Sequence, residues 1–131
     1  MKGRRRGEKG FTLIELLIVV AILGILAAVV IPNVGAFMIT GTLNAANTEA
    51  ENVKTASLAF YAEKGTWTGV NNATTGYPAY ITGTLKGVYT FSESGTTAGL
   101  ITTAVPAAVN GWPTTIKWEV GTDGQEKWIR A

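Results

Sequence analysis

Residues 10–31 read GFTLIELLIVVAILGILAAVVI, and Pro32 closes this apolar run. From Phe11 to Ile31 there are 21 residues with a single charge, Glu15, and the next charged residue along the chain is Glu49. A helix that rises about 1.5 Å per residue would make this run ~31 Å long, which matches the roughly 30 Å hydrocarbon core of a bilayer. The run therefore predicts a helix that is buried in a membrane or among other helices of its kind.

Glu15 is the unusual residue in this run. An ionisable group costs about 2.5–3.5 kcal/mol at the middle of a bilayer on insertion scales, and less near the surface. One interpretation is a carboxyl group that lies near the membrane surface or stays protonated. The other is a carboxylate whose partner arises by processing. A cut between Gly10 and Phe11 would create a free α-amino group about one turn away. This amine could reach Glu15 of the same chain or Glu15 of a neighbouring subunit.

Residues 9–16, KGFTLIEL, resemble the class III signal peptide of type IV prepilins and type II secretion pseudopilins. The resemblance is specific over residues 9–41 and weaker to about residue 65. It implies that a dedicated membrane peptidase cleaves after Gly10 and then methylates the new N-terminal Phe11. It also implies three assembly positions: Glu15, Gly24 and Pro32.

The charges divide the chain in two. Residues 1–10 carry five basic residues and one acidic residue, a net charge of +4, whereas the rest carries six basic and eight acidic residues, a net charge of −2. Positive charge tends to stay on the cytoplasmic side, so we expect a cytoplasmic leader and a translocated remainder. We expect four segments: a leader at 1–10 that is removed, a transmembrane or filament-core helix at 11–32, an amphipathic half of that helix at 33–65, and a loop with a β-sheet head at 66–131.

The chain has no cysteine and no histidine. Disulfides and thiolate metal sites are therefore excluded, as are the nucleophile–base pairs that contain these residues. We expect no catalytic residues and a structural rather than an enzymatic role.

The sequence from 33 to 65 predicts an amphipathic helix. Apolar and small residues recur at steps of three and four and define one face: Leu43, Ala46, Ala50, Val53, Ser57 and Phe60. Charged residues lie mostly elsewhere and are expected on a solvated or inter-subunit face: Glu49, Glu51, Lys54 and Glu63. Gly65 is a typical helix stop. Pro32 removes a backbone donor and predicts a kink or a weak turn, and the resemblance implies partial unwinding of 24–32 in a filament.

The remaining sequence predicts an α+β fold in which the long helix packs on a small antiparallel sheet of three or four strands, and the resemblance implies that this fold is of the type IV pilin kind. Residues 66–79 are turn-rich and predict a loop. The runs 88–91 and 99–103 are β-rich, and 116–120 alternates apolar and charged residues. Asp123-Gly124 marks a tight turn, after which 127–129 returns as a hairpin. The apolar face of the sheet should cover the helix at Leu43, Val53 and Phe60.

Residues 121–126, GTDGQE, loosely resemble the calcium-binding loop of major pseudopilins. Asp123 and Glu126 would supply hard oxygen ligands. Two carboxylates are few for such a site, and a hairpin turn explains the Asp-Gly pair. The sequence favours the plain turn and no cofactor, with calcium kept as the alternative.

Two other functions are weighed against simple packing. Phe11, Phe37 and Phe60 are 26 and 23 residues apart, too far for contact in one subunit, so an electron-conducting stack would need neighbouring subunits. Nucleic acid binding would need a basic stripe, and the part of the chain after the leader is net acidic. Both functions are disfavoured.

The sequence thus predicts a prepilin: a precursor in the inner membrane that is processed and polymerised into a helical filament at the cell surface. Polymerisation would bury 11–31 among neighbouring helices, with the Glu15–amine attraction setting axial register. The resemblance implies as partners further copies of the chain, a prepilin peptidase and methyltransferase, an assembly ATPase and an inner-membrane platform protein. Two alternatives remain: a major pseudopilin of a type II secretion system, and an uncleaved bitopic membrane protein with a small β domain.

Overall fold

The computed structural model describes residues 10–122 and 124–131. Helix α1 spans Leu13–Lys64, and four strands follow: β1 (Gly87–Phe91), β2 (Ile101–Pro106), β3 (Ile116–Val120) and β4 (Glu126–Arg130). Short 3₁₀ turns lie at Tyr77–Tyr80 and Gly95–Thr97. The chain divides into two compact units between Phe37 and Met38. In the described part of the chain, the first unit contains the start of α1, and the second contains the rest of α1 and the four strands.

Helix α1 begins and ends with recognisable caps. Thr12 precedes the first helical residue, and its Oγ1 atom accepts a hydrogen bond from the N–H of Glu15 at 3.3 Å, which satisfies one of the free donors of the first turn. At the other end, Gly65 has φ +69° and donates its N–H to the carbonyl of Tyr61 at 2.7 Å. A left-handed residue directly after the last helical one is the usual helix stop, so the predicted stop at Gly65 is confirmed.

The second unit has a core between α1 and the strands. The predicted helix face is confirmed, because Ala46, Ala50, Val53, Ser57 and Phe60 are all buried and Leu43 packs against them partly buried. From the strand side the core receives large apolar residues: Tyr89, Phe91, Ile101, Ile116 and Trp128. Leu43, Val53 and Phe60, which the strands were expected to cover, thus share one hydrophobic cluster with residues of all four strands.

The strands form two antiparallel ladders, β1 with β2 and β3 with β4. In the first, Tyr89 lies opposite Ala104, and the register shifts by one residue between Thr90 and Phe91. In the second, Trp118 lies opposite Trp128, which is the predicted C-terminal hairpin. Strands β2 and β3 are neighbours, so the order is β1-β2 followed by β3-β4.

The expected small sheet is thus split into two ladders. The N–H of Ile101, at the start of β2, is directed towards the carboxylate of Glu126. At the other end of β2, Pro106 has no N–H to donate. These two features weaken any ladder between β2 and β3.

The segment predicted as a loop, 66–79, contains more structure than expected. Tyr77–Tyr80 forms a 3₁₀ turn in which Tyr77 is buried. The chain turns tightly before it, because Gly76 donates its N–H to the carbonyl of Asn72 at 2.8 Å and Tyr77 donates to that of Val70 at 2.9 Å. This turn places the Tyr77 hydroxyl within hydrogen-bond distance of the Tyr89 backbone on β1.

Candidate functional site

The candidate processing position lies just before α1. Gly10 and Phe11 precede the helix and are exposed, and Phe11 is 83% exposed. No atom beyond its chain neighbours lies within 4 Å of where a Gly10 side chain would begin. No described residue therefore covers the peptide bond between Gly10 and Phe11. Cleavage there stays a prediction.

Glu15 lies in the first turn of α1. Its backbone N–H is capped by Thr12, and the Thr12-x-x-Glu15 spacing is that of a capping box. The sequence prediction assigned Glu15 only an assembly role and did not assign Thr12 any role. The spacing itself was the signal that identifies Thr12 as the cap.

The helix surface around Glu15 is apolar on every side. From Phe11 to Ile31 every large apolar side chain is at least half exposed, including Leu16 at 52% and Ile31 at 70%. Among the described residues, α1 is the one helix long and apolar enough to cross a membrane, with a mean hydropathy of 3.1 over its most apolar 18 residues. Such a surface is not stable in water and needs lipid or other helices around it.

Two further predicted assembly residues lie on this helix. A side chain at Gly24 would meet no atom within 4 Å, so this position leaves room for close approach by another helix. Pro32 lies inside α1, which is helical on both sides of it, and the neighbouring Asn33 donates its Nδ2–H to the carbonyl of Val29 at 3.1 Å. Unwinding of 24–32 in a filament stays a prediction.

The candidate calcium loop is a tight turn. Asp123 lies outside the described residues. The N–H of Gly121 donates to the carbonyl of Gln125 at 2.7 Å, and that of Gly124 to the carbonyl of Gly121 at 2.9 Å. The Glu126 side chain is 5% exposed and lies 3.9 Å from the Nζ atom of Lys54. Burial raises the pKa of Glu126, against the opposing effects of the Ile101 N–H and Lys54.

This carboxylate therefore already faces a cation and a backbone donor in the interior. Among the described residues, no group of three or more carboxylate, histidine or cysteine side chains is placed to hold a metal ion. Calcium at Asp123 and Glu126 stays an untested alternative.

Glu49 departs most clearly from its predicted place. It was expected on a solvated or inter-subunit face, but it is half-buried. Its carboxylate accepts hydrogen bonds from the N–H groups of Lys86 and Gly87, both at 2.8 Å, from the hydroxyl of Tyr89 at 2.9 Å and from the indole N–H of Trp112 at 3.0 Å. Lys54 is also half-buried, whereas Glu51 and Glu63 are exposed as expected.

Comparison with known proteins gives the chain its family. The model of the prokaryotic N-terminal methylation motif matches residues 5–31. The fimbrial protein EcpC of Eikenella corrodens is 35% identical over 125 residues, which cover 92% of this chain and 80% of that protein. The type IV major pilin protein PilE of Neisseria gonorrhoeae is 34% identical over 126 residues, or 93% of this chain and 73% of that protein.

The chain belongs to the type IV pilin family. A fimbrial protein of Neisseria meningitidis serogroup B is also similar, with 35% identity over 126 residues that cover 93% of this pilin and 72% of its relative. No solved structure gave a significant match. The family membership agrees with the fold, a long N-terminal helix on small antiparallel sheets.

Proposed function

We propose that this pilin is a structural subunit of a type IV pilus, made as a membrane-anchored precursor, cleaved between Gly10 and Phe11 and methylated on the amine of Phe11. The observation that carries the proposal is the exposed apolar surface of residues 11–31, with one carboxylate a turn from the new N-terminus. Such a helix is stable in a membrane before assembly and among copies of itself afterwards. Its final location would be the cell surface.

The transfer from lipid to filament needs an energy source. Lipid tails are as apolar as leucine, so moving this helix from lipid to a helical core gains little from the hydrophobic effect. Close packing supplies part of the gain, through small residues along the helix: Ala21, Gly24, Ala27 and Ala28. An assembly ATPase and an inner-membrane platform protein, implied by the family resemblance, would supply the rest.

Glu15 would select the position of each incoming subunit. After cleavage the new amine carries a positive charge, and a carboxylate in an apolar core strongly favours a position next to such a charge. The desolvation of both groups limits the net gain, but an unpaired Glu15 would be strongly unfavourable. The pair therefore acts mainly on register, since any axial shift leaves the carboxylate without its partner.

This role requires no catalytic residue in the chain itself. Processing would be performed by the peptidase and methyltransferase, and this subunit would be their substrate. The pseudopilin alternative is not favoured, because the relatives named above are fimbrial proteins and a major pilin. The uncleaved anchor remains the alternative that the first experiment must exclude.

N-terminal mass spectrometry of the native protein tests the processing step. We expect a chain that begins with N-methylated Phe11, and electron microscopy of the same material should show pili. Gly10→Val should block cleavage and abolish pili, because the peptidase would meet a bulky side chain at the scissile bond. Gly7→Val, which places the same side chain elsewhere in the leader, is the matched control and should be processed normally. A stable wild-type protein that retains residues 1–10 would refute the proposal.

A further inference from the structure

Among the described residues, strands β1 and β4 each have an outer edge that is not paired with another strand, because β1 pairs only with β2 and β4 only with β3. The inner edges of β2 and β3 lie next to each other. Just after β1, Ser92 exchanges hydrogen bonds with Leu100 and Gly99 on the β2 side. Backbone groups of a strand alternate between its two edges, so Gly87, Tyr89 and Phe91 direct theirs away from β2. By the same alternation, Glu126, Trp128 and Arg130 direct theirs away from β3.

Side chains occupy these outward groups on β1. Asn71 accepts the N–H of Phe91 at 2.7 Å and donates to its carbonyl at 2.8 Å. The hydroxyl of Tyr77 accepts the N–H of Tyr89 at 3.2 Å and donates to its carbonyl at 3.1 Å. The third outward N–H, that of Gly87, donates to the carboxylate of Glu49.

The same arrangement recurs on β4, where the side chains come from α1. Asn47 accepts the N–H of Trp128 at 2.7 Å and donates to its carbonyl at 3.1 Å. The Nζ atom of Lys54 donates a hydrogen bond of 3.5 Å to the carbonyl of Glu126. Asn71, Tyr77 and Asn47 therefore each make the pair of bonds that one residue of a neighbouring strand would make.

We propose that these five side chains are edge caps, which close both outer edges of the head to strand addition by a second copy of the chain. They are Asn47, Glu49, Lys54, Asn71 and Tyr77. An unpaired strand edge is a template for another strand. The β1 sequence, GVYTF, has no charge and strong β-forming residues, so it lacks the charged residues that commonly protect an edge.

The caps determine which contacts between heads are available. With both edges closed, copies of the head can meet through their faces and side chains but not through a continuous sheet. This inference goes beyond the proposed function, because the edges are closed whether or not the chain forms a filament. Its test likewise measures the separate subunit and not pili.

Amide hydrogen exchange of the full-length wild-type protein in detergent micelles is the first test. The N–H groups of Phe91 and Trp128 should be protected although they lie on outer edges. Arg130 is the internal control: by the same alternation its backbone groups face outward on the same strand, and among the described residues no side chain is seen to cap them as Asn47 caps those of Trp128. We expect its amide to exchange roughly tenfold or more faster than that of Trp128. Equal rates at these two positions would overturn the proposal, and this readout requires no variant to fold.

Removal of the caps is the second test. Asn71→Ala and Asn47→Ala should each raise the exchange rate of the capped amide by about tenfold, and together they should produce oligomers rich in intermolecular β-structure, detected by light scattering and infrared spectroscopy. Asn52→Ala is the matched control, since this asparagine is exposed on the same helix and should leave the protein monomeric. A folded double variant that stays monomeric with unchanged exchange would contradict the proposal.

Discussion

The hydroxyl of Tyr89 on β1 donates a hydrogen bond of 2.9 Å to the carboxylate of Glu49 on α1. The same hydroxyl accepts the indole N–H of Trp128 on β4 at 3.1 Å. One carboxylate thus connects the helix with both strand ladders. Burial is the main cause that raises the pKa of Tyr89, which keeps its hydroxyl protonated and able to donate.

Glu49→Ala should destabilise the head strongly. It removes the acceptor of four donors, and buried donors without a partner cost about 1–3 kcal/mol each when they cannot reach water. Because these groups are half-buried, we expect a total of roughly 3 kcal/mol, which lowers Tm by about 10–20 °C for a unit of this size. Near-ultraviolet circular dichroism of the tryptophans during heating measures the change.

Glu51→Ala is the control for this experiment. Glu51 is two residues away on the same helix, its side chain is 69% exposed, and it pairs with Lys54 at 3.1 Å. Exposed ion pairs contribute at most about 1 kcal/mol. A loss of stability in Glu51→Ala equal to that in Glu49→Ala would show that general helix effects, and not the hydrogen bonds of Glu49, are responsible.

Glu126→Gln should change how stability depends on pH. Since burial raises the pKa of Glu126 in the folded state, the folded protein binds more protons than the unfolded one between the ordinary pKa and the raised pKa. The free energy of unfolding therefore falls as pH rises through that window. Glutamine keeps an acceptor for the N–H of Ile101 without the buried charge, so the variant should have the higher Tm at about pH 7 and nearly the wild-type value at about pH 4.

Lys54→Met should lower Tm at neutral pH, where Glu126→Gln raises it, because both variants act through the buried charge of Glu126. It leaves the Glu126 carboxylate without its cation, so the loss of Tm should be larger at neutral pH than at acidic pH. A Glu126→Gln variant that is less stable than the wild type at neutral pH would mean that the attraction to Lys54 exceeds the cost of burial.

The sequence predicted those features of the fold that depend on residues close together in the chain. The spacing of Ala46, Ala50, Val53 and Phe60 identifies the buried helix face without knowledge of its partner, because a helix places such residues together. Gly65 marks the helix end through its own backbone freedom. The alternation at 116–120 and the turn at Gly124 define the second hairpin in the same way. All of these follow from rules that act over a few residues.

The sequence did not predict contacts that depend on distant partners. Glu49 was assigned to a solvated or inter-subunit face because charged residues usually are, but its donors lie 37 to 63 residues further along the chain. Asn71 and Tyr77 lie in a segment that is turn-rich by composition, and their role depends on the register of β1. Strand β2 begins at Ile101 rather than Gly99, because Gly99 has φ +86°, which is incompatible with a regular strand.

Gly76→Ala should destabilise the head through a clash between the added side chain and the backbone of the preceding turn. A side chain there would begin 2.2 Å from the carbonyl oxygen of Val70 and 2.6 Å from that of Asn72. Overpacking of this kind costs about 1–3 kcal/mol. Gly41→Ala is the control with the opposite sign, since Gly41 lies within α1 with open space around it and alanine should add about 1 kcal/mol. Thermal unfolding of both variants measures the difference, and an unchanged Tm in Gly76→Ala would show that the turn before Tyr77 is not rigid.

Glu15→Gln should separate processing from assembly. Cleavage should continue, because the scissile bond between Gly10 and Phe11 lies before the helix and outside the Thr12 cap, whose acceptor and donor are unchanged. Assembly should fall, because glutamine has nearly the same size as glutamate but lacks the charge that attracts the new amine. A loss of 1.4 kcal/mol for each incorporated subunit corresponds to about tenfold, so we expect pili to be reduced at least by that factor. Counting pili by electron microscopy and measuring the processed subunit by mass spectrometry give the two quantities from the same cells.

Glu15→Asp keeps the charge on a shorter side chain and should retain more pili than Glu15→Gln. Normal pili from the glutamine variant would contradict the role of an ion pair in choosing the register.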